Sequence, residues 1–258
     1  HRPAAPGVQQ LRLVNTAAGA AGTPTAANVH TLRLHVRPVT LAAIGDVSPG
    51  SAAAAVHAHG PDWHWQRVGP WLRAQDLVVA NWETADAPGG APWPGKSFNF
   101  LAPRGSIAAA ARTGGVDAAS LANNHALDYG RPALLGSLRQ MRAADIAPFG
   151  AGASLGAALE PAIVTRGGLR IALLGFNAIQ PTGFWAGPSR AGNAPATRQA
   201  IASAVSRARP KADLVIAYVH WGNELERRPN ASQRALADAA LGAGADVVLG
   251  AHPHVLQP

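Results

Sequence analysis

Six apolar runs of strand length punctuate the chain at 40–45, 76–80, 116–121, 169–175, 214–219 and 246–250, most of them separated by stretches with helical spacing. That alternation constrains the fold more than any other feature, because strand periods interleaved with helix periods predict an α/β architecture. The clearest helix begins near Thr197, carries Ile201, Ala204, Val205 and Ala208 at helical spacing, and stops before Pro210. A second runs from Asn230 toward Gly242, with Asn230 and Gln233 spaced as an N-cap pair. A third follows Gly130, with Pro132 near its first turn and Leu134, Leu138 and Met141 on one face. Ahead of the alternation, 29–36 reads V-H-T-L-R-L-H-V and sets Leu32, Leu34 and Val36 on one side of a further strand. Residues 1–28 contain no acid and no sustained period; they are expected to be an extended lead-in or the tail of an upstream domain, leaving the folded domain at 29–258.

Composition narrows the classes. At 258 residues and 48% hydrophobic, the chain can bury a sizeable core and is not disordered throughout. No apolar run approaches the ~18–20 residues of a membrane-spanning helix. The first residue is His, with no charged-then-apolar leader after it, which reads as a processed or excised segment. The absence of cysteine excludes disulfides and thiolate metal sites. The net charge of +8 is nearly all arginine, since Lys96 and Lys211 are the only lysines among 22 cations. Its densest groups, Arg207 with Arg209 and Arg227 with Arg228, are short and flank predicted helices. Nucleic-acid binding is therefore not expected, although the positive field favours anionic substrates.

In α/β sheets, ligands bind beyond the carboxyl ends of the strands, so the residues that follow each run carry the functional information. The first run delivers Asp46, the second Asn81 and Glu83, and the third Asn123, Asn124, His125 and Asp128. The fifth delivers His220 and Glu224, and the sixth His252 and His254, while the fourth ends ambiguously on Asn177. With only 14 acids and 10 histidines in the chain, this placement points to a shared site. Carboxylate, amide and imidazole without thiolate is a donor set for Mn, Fe or Zn. One or two divalent ions fit it; a pair ~3.5–4 Å apart can share a carboxylate and activate a water for phosphoryl transfer.

The succession GDVSPG, NWET, SLANNHALDYG, HWGNE and GAHPHVLQP resembles the bacterial capsule-synthesis protein family of CapA type, associated with poly-γ-glutamate capsules, within the calcineurin-like metallophosphoesterase superfamily. The resemblance covers about 41–258. It implies a four-layer α/β/β/α sandwich with metal ligands on loops after the strands, and a family continuation of at least one more strand beyond Pro258. Carried over position by position, Asp46 and His254 would bind a first metal, Glu83 would bridge, and Asn124, His220 and His252 would bind a second. His125 matches the histidine that protonates the leaving oxygen. Two departures stand out: Ser48 occupies the histidine position of the superfamily's D-x-H motif, which implies a first metal lacking one imidazole, and the bridging acid is Glu. The implied activity is a phosphoesterase-like hydrolase in capsule biosynthesis; the alternative is a non-catalytic component that holds an anionic polymer in a membrane-bound synthesis assembly. Either role implies the extracytoplasmic side of the cell envelope, with an anionic polymer or phosphoester as partner.

Other features have plainer readings. His57, His59 and His64 lie in a Gly-Pro-Trp-rich stretch and are expected to be solvated or part of a lid. Trp82 and Trp221 flank proposed ligands and are expected to pack beneath the loops. Gly152, Ser154 and Gly156 fit G-x-S-x-G, yet Pro148 interrupts the strand an elbow serine would need, and a dinucleotide loop fails on spacing, so a turn is expected.

Overall fold

The computed structural model describes residues 7–14, 29–36, 38–86 and 90–258, which divide into two units, His1–Thr40 and Leu41–Pro258. In the first, β1 (Gly7–Val14) pairs antiparallel with β2 (Val29–Val36), Gly7 opposite Val36 and Val14 opposite Val29. β2 is the strand expected at 29–36, and β1 falls in the stretch read as a lead-in, of which 1–6 and 15–28 lie outside the described residues.

In the second unit all six apolar runs form strands. One sheet, in the order β3 (Leu41–Val47), β4 (Leu77–Trp82), β5 (Ala118–Ser120), β6 (Ala147–Phe149), is entirely parallel. A short β7 (Ala151–Gly152) follows, and β8 (Ala162–Arg166) begins the other sheet. There β9 (Leu169–Asn177), β11 (Leu214–His220) and β12 (Val247–Ala251) run parallel in the order β12-β11-β9, with β8 antiparallel at the edge. Between β9 and β11, β10 (Gly192–Asn193) pairs with β7.

Strand alternation sorts the side chains into layers. On β4, Leu77 and Val79 join Ile171 and Leu173 of β9 and Ile216 and Tyr218 of β11 in one core between the two sheets. Their alternates Val78, Ala80 and Trp82 face the opposite way, against Leu134, Leu138 and Met141 of α4 (Gly130–Ala143), the face expected from the sequence. On the far side, Leu174, Phe176, Val215 and Val219 pack against Ile201 and Val205 of α6 (Arg198–Ala208) and Leu236 of α7 (Ala231–Gly242). The order helix, sheet, sheet, helix is therefore built from period-2 strands whose two faces are both apolar, each buried aliphatic side chain contributing ~1.5–3 kcal/mol. Thr197 caps α6 by accepting from Ala200 N–H, and Asn230 with Gln233 completes a capping box on α7.

Short helices fill the connections: α1 (Ala53–His59) and α2 (Gly69–Leu72) after β3, α3 (Ser106–Ala109) before β5, and α5 (Leu155–Ala158) after β7. His57 and His59 lie on α1 rather than in a loop, because the run of alanines favours a helical turn, but both are exposed as expected. Ser154 caps α5 by accepting from Ala157 N–H, so the G-x-S-x-G segment is a turn and cap. Among the described residues no helix is long and apolar enough to cross a membrane.

Candidate metal centre

Strand parity aims the site. Continuing the inward alternation of β4 through Leu77 and Val79 brings Asn81 into the gap between the sheets, and that of β11 through Ile216 and Tyr218 brings in His220. β3 reaches the same gap by a bulge. Ala42 and Ile44 pack on the helix side, and one extra residue between Ala43, paired with Val79, and Asp46, paired with Asn81, turns Asp46 inward. Tyr218 Oη crosses the gap and donates to the Ile44 carbonyl at 2.7 Å, anchoring the bulge to the opposite sheet. The sheets approach closely here: a Cβ on Gly175 would lie 2.9 Å from Gly150 Cα.

Asn81 Nδ2 donates to Asp46 Oδ1 at 2.8 Å and faces His220 Nδ1 at 3.2 Å, so that ring nitrogen accepts. His220 Nε2 then carries the ring proton and donates to Asn124 Oδ1 at 2.7 Å, with Glu83 Oε1 at 3.3 Å. Asp46 Oδ2 lies 2.9 Å from His254 Nδ1 and accepts from His252 N–H at 3.1 Å. The His252 ring is 4.8 Å from that of His220 and 5.7 Å from that of His254 between centroids. All six residues assigned as ligands from the resemblance, Asp46, Glu83, Asn124, His220, His252 and His254, thus meet in one place. They come from the carboxyl ends of two sheets rather than one edge.

Two overlapping clusters have ligand atoms within 4.8 Å of one another: Asp46, Glu83 and His220, and Glu83, His252 and His254. Glu83 belongs to both, and the clusters pair His252 with His254, whereas the resemblance groups His252 with His220. Ser48 does not join them. Its hydroxyl donates to the Glu83 carbonyl at 2.8 Å and so steadies the backbone at Glu83.

Burial, then the nearby Asp46 charge, pushes Glu83 up to about 8. Burial pulls His220 down to about 3, and burial followed by His220 pulls His252 down to about 4. Both imidazoles are therefore neutral at pH 7, the form that binds metal. His252 Nδ1 is buried without a hydrogen-bond partner, and the backbone of His252 and His254 is held at φ 93° and 56°. Neutral imidazoles, an orphaned buried nitrogen and two carboxylates fit a divalent ion.

Beside this cluster, His125 follows Asn124 directly and is buried. Its Nδ1 lies 2.6 Å from Asp128 Oδ2 and 2.9 Å from Lys96 Nζ. Asp128 Oδ2 also accepts from Phe100 N–H at 2.7 Å, and Lys96 donates to Asp128 Oδ1. The shorter, charge-assisted contact assigns the Nδ1 proton to the Asp128 bond. The Phe100 ring stacks on His125 at 4.5 Å. Burial holds Lys96 below its ordinary range against the opposing Asp128 hydrogen bond. Asn123 fixes the loop by donating to Asn81 Oδ1 at 3.1 Å and to the Trp82 carbonyl at 2.8 Å, while Asn193 donates to the Asn123 carbonyl at 2.7 Å.

Lys96 and Asn193 carry no strand or helix period that would have singled them out; the one signal for Lys96 is its rarity as a lysine. Asn177 turns away, accepting from Ile179 N–H at 2.9 Å, and Glu224 is exposed. Trp82 and Trp221 are buried in the two outer cores, as expected. His64 is half-buried rather than solvated, its ring lies against that of Trp63, and its Nε2 is shielded with no partner.

Two facing sheets flanked by helices, with carboxylates and imidazoles gathered at their carboxyl ends, define the calcineurin-like metallophosphoesterase class of fold. Within it the chain belongs to the family described as bacterial capsule synthesis protein PGA_cap, which matches residues 40–258. It is 30% identical over 227 residues to the capsule biosynthesis protein CapA of Bacillus anthracis, covering 85% of this chain and 55% of that protein. It is 33% identical over 218 residues to the PGA biosynthesis protein CapA of Bacillus subtilis strain 168, covering 83% and 57%. The chain thus spans little more than half the length of these relatives. A crystal structure of a hypothetical protein from Thermus thermophilus aligns with a TM-score of 0.45 at 23% identity, over 83% of this chain and 68% of that one.

Proposed function

We propose that this domain is a divalent-metal-dependent phosphoester hydrolase serving capsule or poly-γ-glutamate biosynthesis in the cell envelope, in company with a membrane-bound synthesis assembly. The relatives' names support the biological setting. The reaction class rests on one observation, a buried His125 oriented by Asp128, which Lys96 holds in turn, beside a cluster of carboxylates and neutral imidazoles.

In this reading Asp46, Glu83, Asn124, His220, His252 and His254 hold one or two ions of Mn, Fe or Zn. The bound metal supplies Lewis-acid polarisation of the phosphoryl group and activation of water. His125 holds a proton at Nε2 and delivers it to the leaving oxygen, while Asp128 stabilises the charged ring through Nδ1. Lys96 fixes Asp128, Phe100 stacks on the ring and limits its rotation, and the Asn123 side chain holds the backbone by accepting from the main-chain N–H of His125 at 3.0 Å.

The test is a phosphomonoester and phosphodiester panel on metal-loaded protein, with metal content measured alongside. His125→Asn is expected to retain the metal and lower turnover roughly 10²- to 10⁴-fold, less for good leaving groups than for alkyl esters. Full metal loading without turnover on any ester would refute catalysis. It would favour the second reading, a non-catalytic holder of an anionic polymer, which the Ser48 hydroxyl supports by being committed to the Glu83 carbonyl instead of adding a ligand.

A further inference from the structure

Next to the metal-ligand cluster lies a cavity of about 500 Å³ that reaches Asp46, Glu83 and His254 and is walled by Ile44, Val47, Trp65, Val68, Leu72 and Trp82. In a chain with 22 Lys and Arg, none of the described ones lines it. Its hydroxyl protons are committed elsewhere: Ser48 donates to the Glu83 carbonyl, Ser51 to the Ser48 carbonyl and Ser106 to the Pro103 carbonyl. Of His64 the ring lines the cavity, while its Nε2 is shielded. A polyanion would lose its hydration on these walls without gaining a cation, whereas an aryl or alkyl group would gain from burial. The volume falls within the ~300–1,000 Å³ of small-molecule sites.

We propose that this cavity is a substrate subsite for an uncharged, mainly apolar substituent, aryl or short alkyl, which packs on its apolar walls while the phosphoryl group lies at the metal-ligand cluster. The proposal rests on the metal-dependent phosphoester reading and adds the substrate class: esters of apolar alcohols rather than a repeating polyanion at this position. Val68 becomes a specificity-determining residue.

Phosphonates, which bind without hydrolysis, separate the two ideas. On metal-loaded protein, calorimetry should find 2-naphthylmethylphosphonate bound at least about tenfold more tightly than methylphosphonate. Val68→Glu, at a half-exposed wall position, should erase the preference for the naphthyl group, and Ser51→Phe at the exposed rim should do so by filling space. Equal affinity for naphthylmethyl- and methylphosphonate would overturn the subsite, whatever the turnover. Graded phosphonate binding without hydrolysis of any ester would uphold the subsite and overturn the hydrolase. Failure of every phosphonate to bind would overturn both.

Discussion

At the candidate ligands, single residues adopt conformations that a fold selected for stability alone would avoid. His252 at φ 93° and His254 at φ 56° occupy backbone regions that cost non-glycine residues ~1–3 kcal/mol each. His252→Gly relieves that strain and removes an imidazole together. Urea unfolding of the ion-free variant is expected to show stability equal to wild type or raised by about 1 kcal/mol, while affinity for Zn or Mn falls at least about tenfold. Reduced stability with unchanged metal affinity would make His252 a packing residue. A second buried group, Asp86, lies outside the centre, and burial raises its carboxyl from 3.8 to about 7. Between those values the folded chain keeps a proton that the unfolded chain has released, so stability falls as pH rises from about 4 to about 7 and levels off above. Asp86→Asn is neutral throughout. Its stability advantage over wild type should grow from near zero at pH 4 to a few kcal/mol at pH 8, because each pH unit between those two values contributes ~1.4 kcal/mol. An advantage that did not change with pH would disprove this account of Asp86.

Among the elements, β3 shows how little sequence it takes to aim a ligand. Its extra residue rotates Asp46 from the helix side to the gap, and Tyr218 Oη holds the bulge through the Ile44 carbonyl. Tyr218→Phe keeps the ring in the inter-sheet core but withdraws a buried hydrogen bond, an expected loss of ~1–3 kcal/mol. Metal affinity should fall with it, although Tyr218 contacts no candidate ligand through its hydroxyl. Unchanged metal binding in that variant would mean that the bulge holds without the anchor. Strands and helices were legible because burial on both faces writes continuous apolar runs, and because Thr197 and the Asn230–Gln233 pair mark helix starts by local chemistry. Asp46 was legible as the residue that ends its run, but the bulge was not: L-A-A-I-G-D-V contains only small or apolar side chains before the acid, so no break in period betrays the slip. Lys96 and Asn193 depend on neighbours 29 to 70 residues away. Local composition suggested solvent at His64, which is half-buried.

Across the Leu41–Pro258 unit, the candidate ligands are divided between the sheets. Asp46 lies near the end of β3 and Glu83 and Asn124 follow β4 and β5, whereas His220, His252 and His254 end or follow β11 and β12. The two sheets otherwise meet through the apolar core of Leu77, Val79, Phe149, Leu173 and Ile216, so an ion bound at the carboxyl ends would tie together layers joined chiefly by non-directional burial. Such an ion binds the folded chain and not the dispersed ligands of the unfolded one, and at 100 times its Kd contributes ~2.7 kcal/mol. For a domain of this size that corresponds to an increase in Tm of roughly 5–10 °C, reversible by chelation. Hydrogen exchange gives the decisive readout, because a cross-link between sheets must slow exchange in both. Added Zn or Mn should raise protection at 77–82 and 214–220 alike, and His252→Gly should reduce both effects together. Protection gained in only one sheet would mean that the ion sits on that sheet's residues alone, and the shared centre would have to be abandoned even if the Tm rose.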